Sequence, residues 1–213
     1  MTNHIPNHDE SIIPLSGVPL FLRQTNRMLT DVERDTLCNL EESSANAGTN
    51  YITNNRYLLN LPEFANLKAE LKSHLDYYTG TILQLHNNFV ITNSWATRNP
   101  TGSEHHLHVH GNSIFSGIYY VDIEDGELEL MLKPVYSNSY KFFYDIKEFN
   151  IFNSDIWKLK TTSGTIVIMP SDIYHRVSPN NSVSDRRIIG FNTFLSDQVG
   201  TMDAINLLTV KTL

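Results

Sequence analysis

The chain has 213 residues and a net charge of −7, with 18% charged and 40% hydrophobic side chains, proportions that suit one globular domain with a substantial core. No cluster of Lys and Arg interrupts the acidic balance, so general binding to nucleic-acid phosphates is excluded as an expectation. A single cysteine, Cys38, rules out an internal disulfide framework and fits a reducing compartment.

Residues 1–14 are polar and broken by Pro6 and Pro14, and are expected to form a loose arm. They carry no basic and apolar leader, and no apolar run nears the roughly 20 residues of a bilayer span, so a soluble cytoplasmic protein with no membrane partner is expected. Val18-Pro19-Leu20-Phe21-Leu22 reads as an edge strand, because Pro19 cannot donate to a ladder. Thr30 followed by Glu33 is a capping-box signature, opening a helix expected to reach about Gly48. Asn50 to Asn60 reads as a connection. Phe64, Leu67, Leu71, Leu75, Tyr78 and Ile82 then recur at steps of 3 or 4, the spacing of one buried helical face. That stripe is core packing rather than a cofactor box.

After Asn87-Asn88 the pattern turns to strands. Phe89 to Thr97 is one, closed by Asn99-Pro100-Thr101-Gly102. The segment Glu104-His105-His106-Leu107-His108-Val109-His110 follows, ended by a turn at Gly111-Asn112. Ile114 to Val121 is a strand, Asp125-Gly126 a hairpin turn, and Glu127 to Leu132 its return. Residues 133–155 are irregular and aromatic (Tyr136, Tyr140, Phe142, Phe143, Tyr144). They read as a long insertion, either a substrate-facing cover or a loop packing its own aromatics. Strands near 156–160, 165–169, 174–178 and 187–195 complete the count. Helices first and about eight strands after them make an α+β, mainly β fold: a sandwich or jelly roll buttressed by N-terminal helices. The expected division of the single domain 1–213 is an arm (1–14), helical support (15–88), a jelly-roll core (89–197) and a tail (198–213).

Four histidines within six residues are the strongest chemical signal. Side chains alternate along a strand, so His108 and His110 share a face, roughly 6–7 Å apart along the chain. Two imidazoles so placed can bind one cation if a third ligand arrives, and His175 is the candidate. His106 and His108, with Glu104 on the same parity, form an alternative pair two residues upstream. Eleven residues past His175 lies Arg186, opening a strand on which Arg186, Ile188, Gly190 and Asn192 share one face and Arg187, Ile189 and Phe191 the other.

A jelly roll with His108, His110, His175 and Arg186 resembles the Fe(II)/2-oxoglutarate-dependent dioxygenases. Within that superfamily it is similar to the 2-oxoglutarate–iron oxygenases of marine bacteria and phages, which are prolyl-hydroxylase-like. The matching residues, over about 89–195, are the Trp95 strand, Gly102, His108-Val109-His110, Ser116-Gly117-Ile118-Tyr119-Tyr120, Pro170-Ser171, His175-Arg176-Val177-Ser178-Pro179-Asn180, Arg186 and Phe191-Asn192. The resemblance implies a hydroxylase using Fe(II), 2-oxoglutarate and O2, releasing succinate and CO2, and acting on a small molecule or peptide; a phage-encoded copy would work in the host cytoplasm. It also implies that His108, His110 and His175 hold the metal, and that Arg186 receives the far carboxylate of 2-oxoglutarate, with Tyr120 adding a hydroxyl. The chain departs from the family at His110, which stands where the usual motif has Asp or Glu. Three neutral imidazoles suit Zn or Cu as well as Fe. A cupin-type dioxygenase that needs no 2-oxoglutarate, or a non-catalytic metal- or sugar-binding jelly roll, are the competing readings.

Overall fold

The computed structural model describes residues 17–25, 27–124, 127–131, 145–150, 153–154 and 156–211. The chain opens with strand β1 (Phe21–Gln24), helix α1 (Asp31–Asn39) and a hairpin of β2 (Glu42–Ala45) with β3 (Asn50–Thr53). The capping box forms as expected: the Thr30 hydroxyl accepts from the Glu33 amide, and the Glu33 carboxylate accepts from the Thr30 amide. The helix nevertheless stops at Asn39, well short of Gly48. Leu40 is already extended, and the Glu-Ser-Ser-Ala segment beyond it has no apolar stripe to bury, while Ser competes with helical hydrogen bonding. Pairing with β3 wins, so Asn50–Thr53 is a strand rather than the expected connection.

Helix α2 (Ala65–Asp76) follows a 3-10 turn at Pro62–Phe64 and widens into a π turn over Tyr77–Ile82. Phe64, Leu67, Leu71, Leu75 and Tyr78 are buried, but Ile82 is 47% exposed. The wider turn rotates Ile82 off the stripe that a 3.6-residue repeat sets up.

The remaining strands are β4 (Phe89–Asn99), β5 (His105–His108), β6 (Phe115–Asp122), β7 (Glu127–Met131), β8 (Ile156–Lys160), β9 (Thr165–Pro170), β10 (Tyr174–Val177) and β11 (Arg186–Leu195), with β12 (Asp197–Val199) and β13 (Leu208–Val210) in a small C-terminal hairpin. Seven strands form one sheet in the order β1-β9-β6-β11-β4-β3-β2, and four form a second in the order β5-β10-β7-β8. From β4 to β11 the chain passes back and forth between the two sheets, the winding of a double-stranded β-helix, or jelly roll. Segment 15–88 is thus more than helical support, since β1, β2 and β3 extend the large sheet. The edge strand expected at 18–22 is β1, shifted two or three residues on. The arm 1–14, the Asp125-Gly126 turn and most of the 133–155 insertion lie outside the described residues.

Strand alternation divides the interior in two. Phe115, Tyr119 and Val121 of β6, Ile166 and Ile168 of β9, and Ile189 and Phe191 of β11 pack toward the buried face of α2. Ile118 and Tyr120, Val167 and Met169, and Ile188 point the other way and meet Leu128 and Leu130 of β7, filling the space between the sheets. Adjacent Tyr119 and Tyr120 therefore lie in different cores. No helix among the described residues is long and apolar enough to cross a membrane.

Candidate metal centre

β5 and β10 pair antiparallel with His108 opposite His175, while β5 forms the free edge of the smaller sheet. His110 lies two residues beyond the end of β5. Its amide donates to the Ser171 carbonyl at 2.9 Å, which holds the chain close enough to extended for His108 and His110 to converge. Ring centroids are 4.2 Å apart for His108 and His175, 5.1 Å for His110 and His175, and 5.2 Å for His108 and His110. One nitrogen from each ring lies within 4.8 Å of the other two. Glu104 and His106, the upstream alternative, leave their side chains exposed and outside this cluster.

Each ring is oriented by its other nitrogen. Nδ1 of His108 bonds the His106 carbonyl at 2.8 Å, Nδ1 of His175 the Ile173 carbonyl at 2.9 Å, and Nδ1 of His110 the Asn192 Oδ1 at 2.7 Å. A carbonyl oxygen only accepts, so Nδ1 carries the proton in each ring and Nε2 keeps its lone pair, the tautomer a metal requires. The Asn192 Oδ1 also accepts from Ser116 Oγ at 3.0 Å, and Ser116 in turn meets Ser171 Oγ at 2.7 Å. Burial pushes all three imidazoles below the usual histidine range, His175 down to about 3. Neighbouring rings add to the effect at His108 and His175, while the Asn192 hydrogen bond opposes it at His110, and the lowering leaves the cluster neutral at physiological pH.

A second group forms deeper between the sheets. The faces of β11 fall as expected: Ile188 joins the core between the sheets and Ile189 and Phe191 the core beside α2. Arg186 is 1% exposed and donates to the Ser178 carbonyl at 2.9 Å, whereas Arg187 is partly exposed and reaches Asp122 at 3.8 Å. The Arg186 guanidinium and Thr161 both act on the Tyr120 phenol, which burial pushes up to about 12 and thereby keeps protonated. Apart from each other, the buried Tyr120 and Thr161 hydroxyls have no hydrogen-bond partner among the described residues. Unsatisfied buried hydroxyls beside a buried cation suit a carboxylate, which accepts from both.

Beside the histidines opens a pocket of about 290 Å³, reaching from Ala45 and Asn50 of the β2–β3 hairpin across Trp95 and Thr97 to His105 and His110. The Trp95 indole lies 5.6 Å from the His110 ring, and a Cβ at Gly190, its cross-strand partner, would come within 2.9 Å of it. The site residues read from the sequence thus gather into two groups, His108 with His110 and His175, and Arg186 with Tyr120. Asn192 was legible as part of the matching Phe191-Asn192 pair and as a residue on the inward face of β11, but not as the partner of His110; Thr161, just past β8, and Asn50, on β3, gave no signal because they are remote from the motif.

Comparison with known families matches residues 93–192 to a model described as "Putative 2OG-Fe(II) oxygenase", where 2OG is 2-oxoglutarate. His108, His110, His175, Arg186 and Tyr120 all fall inside that stretch. Among solved structures, a 2OG-Fe(II) oxygenase family oxidoreductase from Burkholderia pseudomallei is 14% identical with a TM-score of 0.53, covering 76% of this chain and 77% of the other. HygX from Streptomyces hygroscopicus, solved with nickel and 2-oxoglutarate bound, is 13% identical with a TM-score of 0.55, covering 83% and 82%. A prolyl-4-hydroxylase from Pseudomonas putida is 13% identical with a TM-score of 0.53, covering 82% and 92%. At such identities the likeness is one of fold. No curated protein sequence matches the chain.

Proposed function

We propose that the chain is a 2-oxoglutarate–Fe(II) oxygenase, the family whose model matches residues 93–192, and that it hydroxylates its substrate at an iron held by His108, His110 and His175. Bound Fe(II) and 2-oxoglutarate supply oxygen activation coupled to oxidative decarboxylation, with succinate and CO2 as coproducts. The protein's own contribution is orientation and exclusion. The carbonyls of His106 and Ile173 and the Asn192 amide hold the three imidazoles as Nε2 ligands before a metal arrives, so little reorganisation is needed on loading. Three imidazoles converging from the protein would hold the ion and leave it free to take further groups.

Arg186 and Tyr120 are the proposed cosubstrate anchor. The guanidinium can grip a carboxylate with two parallel hydrogen bonds, and the phenol, still protonated, donates a third. Ile188 and Ile118 keep that end of the interior apolar, which strengthens the charge-assisted pair. The observation that carries the reading is the set of three Nδ1–H donors, each spent on an oxygen so that three free Nε2 atoms remain. The test is anaerobic addition of Fe(II) and then 2-oxoglutarate. The wild-type protein is expected to develop the weak visible charge-transfer band of the chelate, and His175→Ala to lose it. Stoichiometric iron with no band on adding 2-oxoglutarate would favour a dioxygenase that does not use this cosubstrate.

A further inference from the structure

β5 carries one residue more than its partner where the two strands pair. His175 stands opposite His108 and Val177 opposite His105, so the single residue Arg176 is set against both His106 and Leu107, the count of a β-bulge. The extra residue reverses the alternation of side chains across it. On a regular strand His105 and His108 would point to opposite faces, and His106 would join His108. Here His105 and His108 both line the pocket, while His106 and Leu107 are exposed. What the bulge brings to the site is the flat of the His105 ring. Its centroid is 4.3 Å from that of His108 and the planes are 14° apart, the most nearly parallel of the imidazole pairs around the site. Neither nitrogen of His105 makes a hydrogen bond among the described residues, and neither joins the three that converge. The ring is tied to the site by its face.

We propose that His105 is a positioning residue of the metal centre: laid on His108 by the bulge, its ring face holds the His108 imidazole at the tilt that aims Nε2 at the ion. The proposal rests on the reading of His108, His110 and His175 as that centre. The same bulge supplies the other half of the support, because the His106 carbonyl holds Nδ1 of His108 at 2.8 Å. A single hydrogen bond fixes the ring along its own plane but leaves that plane free to tilt about the bond. A parallel ring against the face removes the tilt. β5 is the outer strand of its sheet, so support that an inner strand takes from two neighbours has to come from within β5. A coordinated imidazole also gives up electron density to its ion, and a second π face laid against the electron-poor ring is attracted to it as to a cation. The ring of His105, rather than its nitrogens, is therefore the working part.

The test separates ring from nitrogen. The wild-type protein and the variants His105→Phe, His105→Gln and His105→Ala are titrated with Ni(II) by calorimetry. Each is also loaded with Co(II) for proton NMR, where strongly shifted exchangeable signals report the Nδ1–H of each coordinated imidazole. His105→Ala and His105→Gln, which lack the ring, should weaken Ni(II) binding about tenfold, while His105→Phe, a ring without nitrogens, should stay within about threefold of the wild type. The wild type should show one shifted signal for each of His108, His110 and His175, and the His108 signal alone should move in His105→Ala. Phe and Gln both fill the space that Ala leaves, so their ranking decides the matter even where His105→Ala fails to fold. Unchanged Ni(II) affinity and Co(II) signals without the ring would overturn the proposal. So would a further shifted signal that His105→Ala removes, which makes His105 a ligand, or affinity kept by Gln and lost by Phe, which makes its nitrogens the working part. A wild-type protein that takes up no Ni(II) would instead sink the assignment of the histidines, and this inference with it.

Discussion

At the scale of single residues, one strand sorts two adjacent arginines into opposite fates. Arg186 is buried between the sheets, while Arg187 is turned toward Asp122 and partly exposed. Losing one partner of a buried charge pair costs several kcal/mol, so Arg186→Ala should raise the 2-oxoglutarate requirement by roughly a hundredfold or more. Arg187 makes a long surface ion pair worth about 0–1 kcal/mol, and Arg187→Ala should barely change it. A cosubstrate titration ranking them the other way would reverse the facing of β11. Asn192 supplies a second test. Its Oδ1 fixes the tautomer of His110, so Asn192→Ala should weaken metal affinity about ten- to a hundredfold, and Asn192→Asp, which still accepts, should recover part of it. Calorimetric titration with Ni(II) reads the effect, and unchanged affinity would mean that His110 orients itself. The gathering of His108, His110 and His175 and the burial of Arg186 were legible in the sequence, because residue type narrows the candidates and strand parity restricts facing. The contacts that tune them were not, because Asn192 reaches His110 only after the two sheets have met.

At the scale of elements, local signals carried as far as local physics reaches. The capping box places the start of α1 to the residue, but no such device marks its end, and β2 is written in residues that a polar helix would also accept. Its strand identity comes from a partner, β3. The π turn after α2 likewise displaces Ile82 from a stripe that was otherwise read correctly. Cross-strand fit is the least legible feature of all. Gly117 on β6 faces Phe191 on β11, and a Cβ there would lie 1.9 Å from the ring. Gly117→Ala should therefore destabilise the protein by about 1–3 kcal/mol through overpacking, lowering the melting temperature by several degrees. The double variant Gly117→Ala with Phe191→Leu should recover much of the loss. If the single substitution melts like the wild type, the ring has room that the packing denies.

At the scale of the whole molecule, the fold class followed from order alone, helices first and then strands that wind between two layers. What order could not reveal is that the first 88 residues complete the large sheet and wall the pocket with the β2–β3 hairpin. The proposed metal centre also joins distant parts of the chain, since His110 and His175 precede β6 and follow β9 respectively. Ni(II) at a hundredfold excess over its Kd should stabilise the native state by about 2.7 kcal/mol. The melting temperature should rise accordingly and fall again with a chelator, and His108→Ala should melt at the same temperature with and without the ion. A wild-type melt blind to Ni(II) would place no ion on the native state.

That joining matters most to a chain with one cysteine. A sulfur–sulfur bond restrains an unfolded polymer by forbidding every conformation in which two distant points drift apart, and the restraint grows with the logarithm of the loop it closes. An ion shared by His110 and His175, as proposed, would be a reversible knot of the same kind. It would be tied around the segment that holds β6 to β9, and would be undone by acid or by competition for the ion rather than by a reductant. A protein knotted this way would draw part of its resistance to unfolding, and to the proteases that wait for unfolding, from the supply of metal around it.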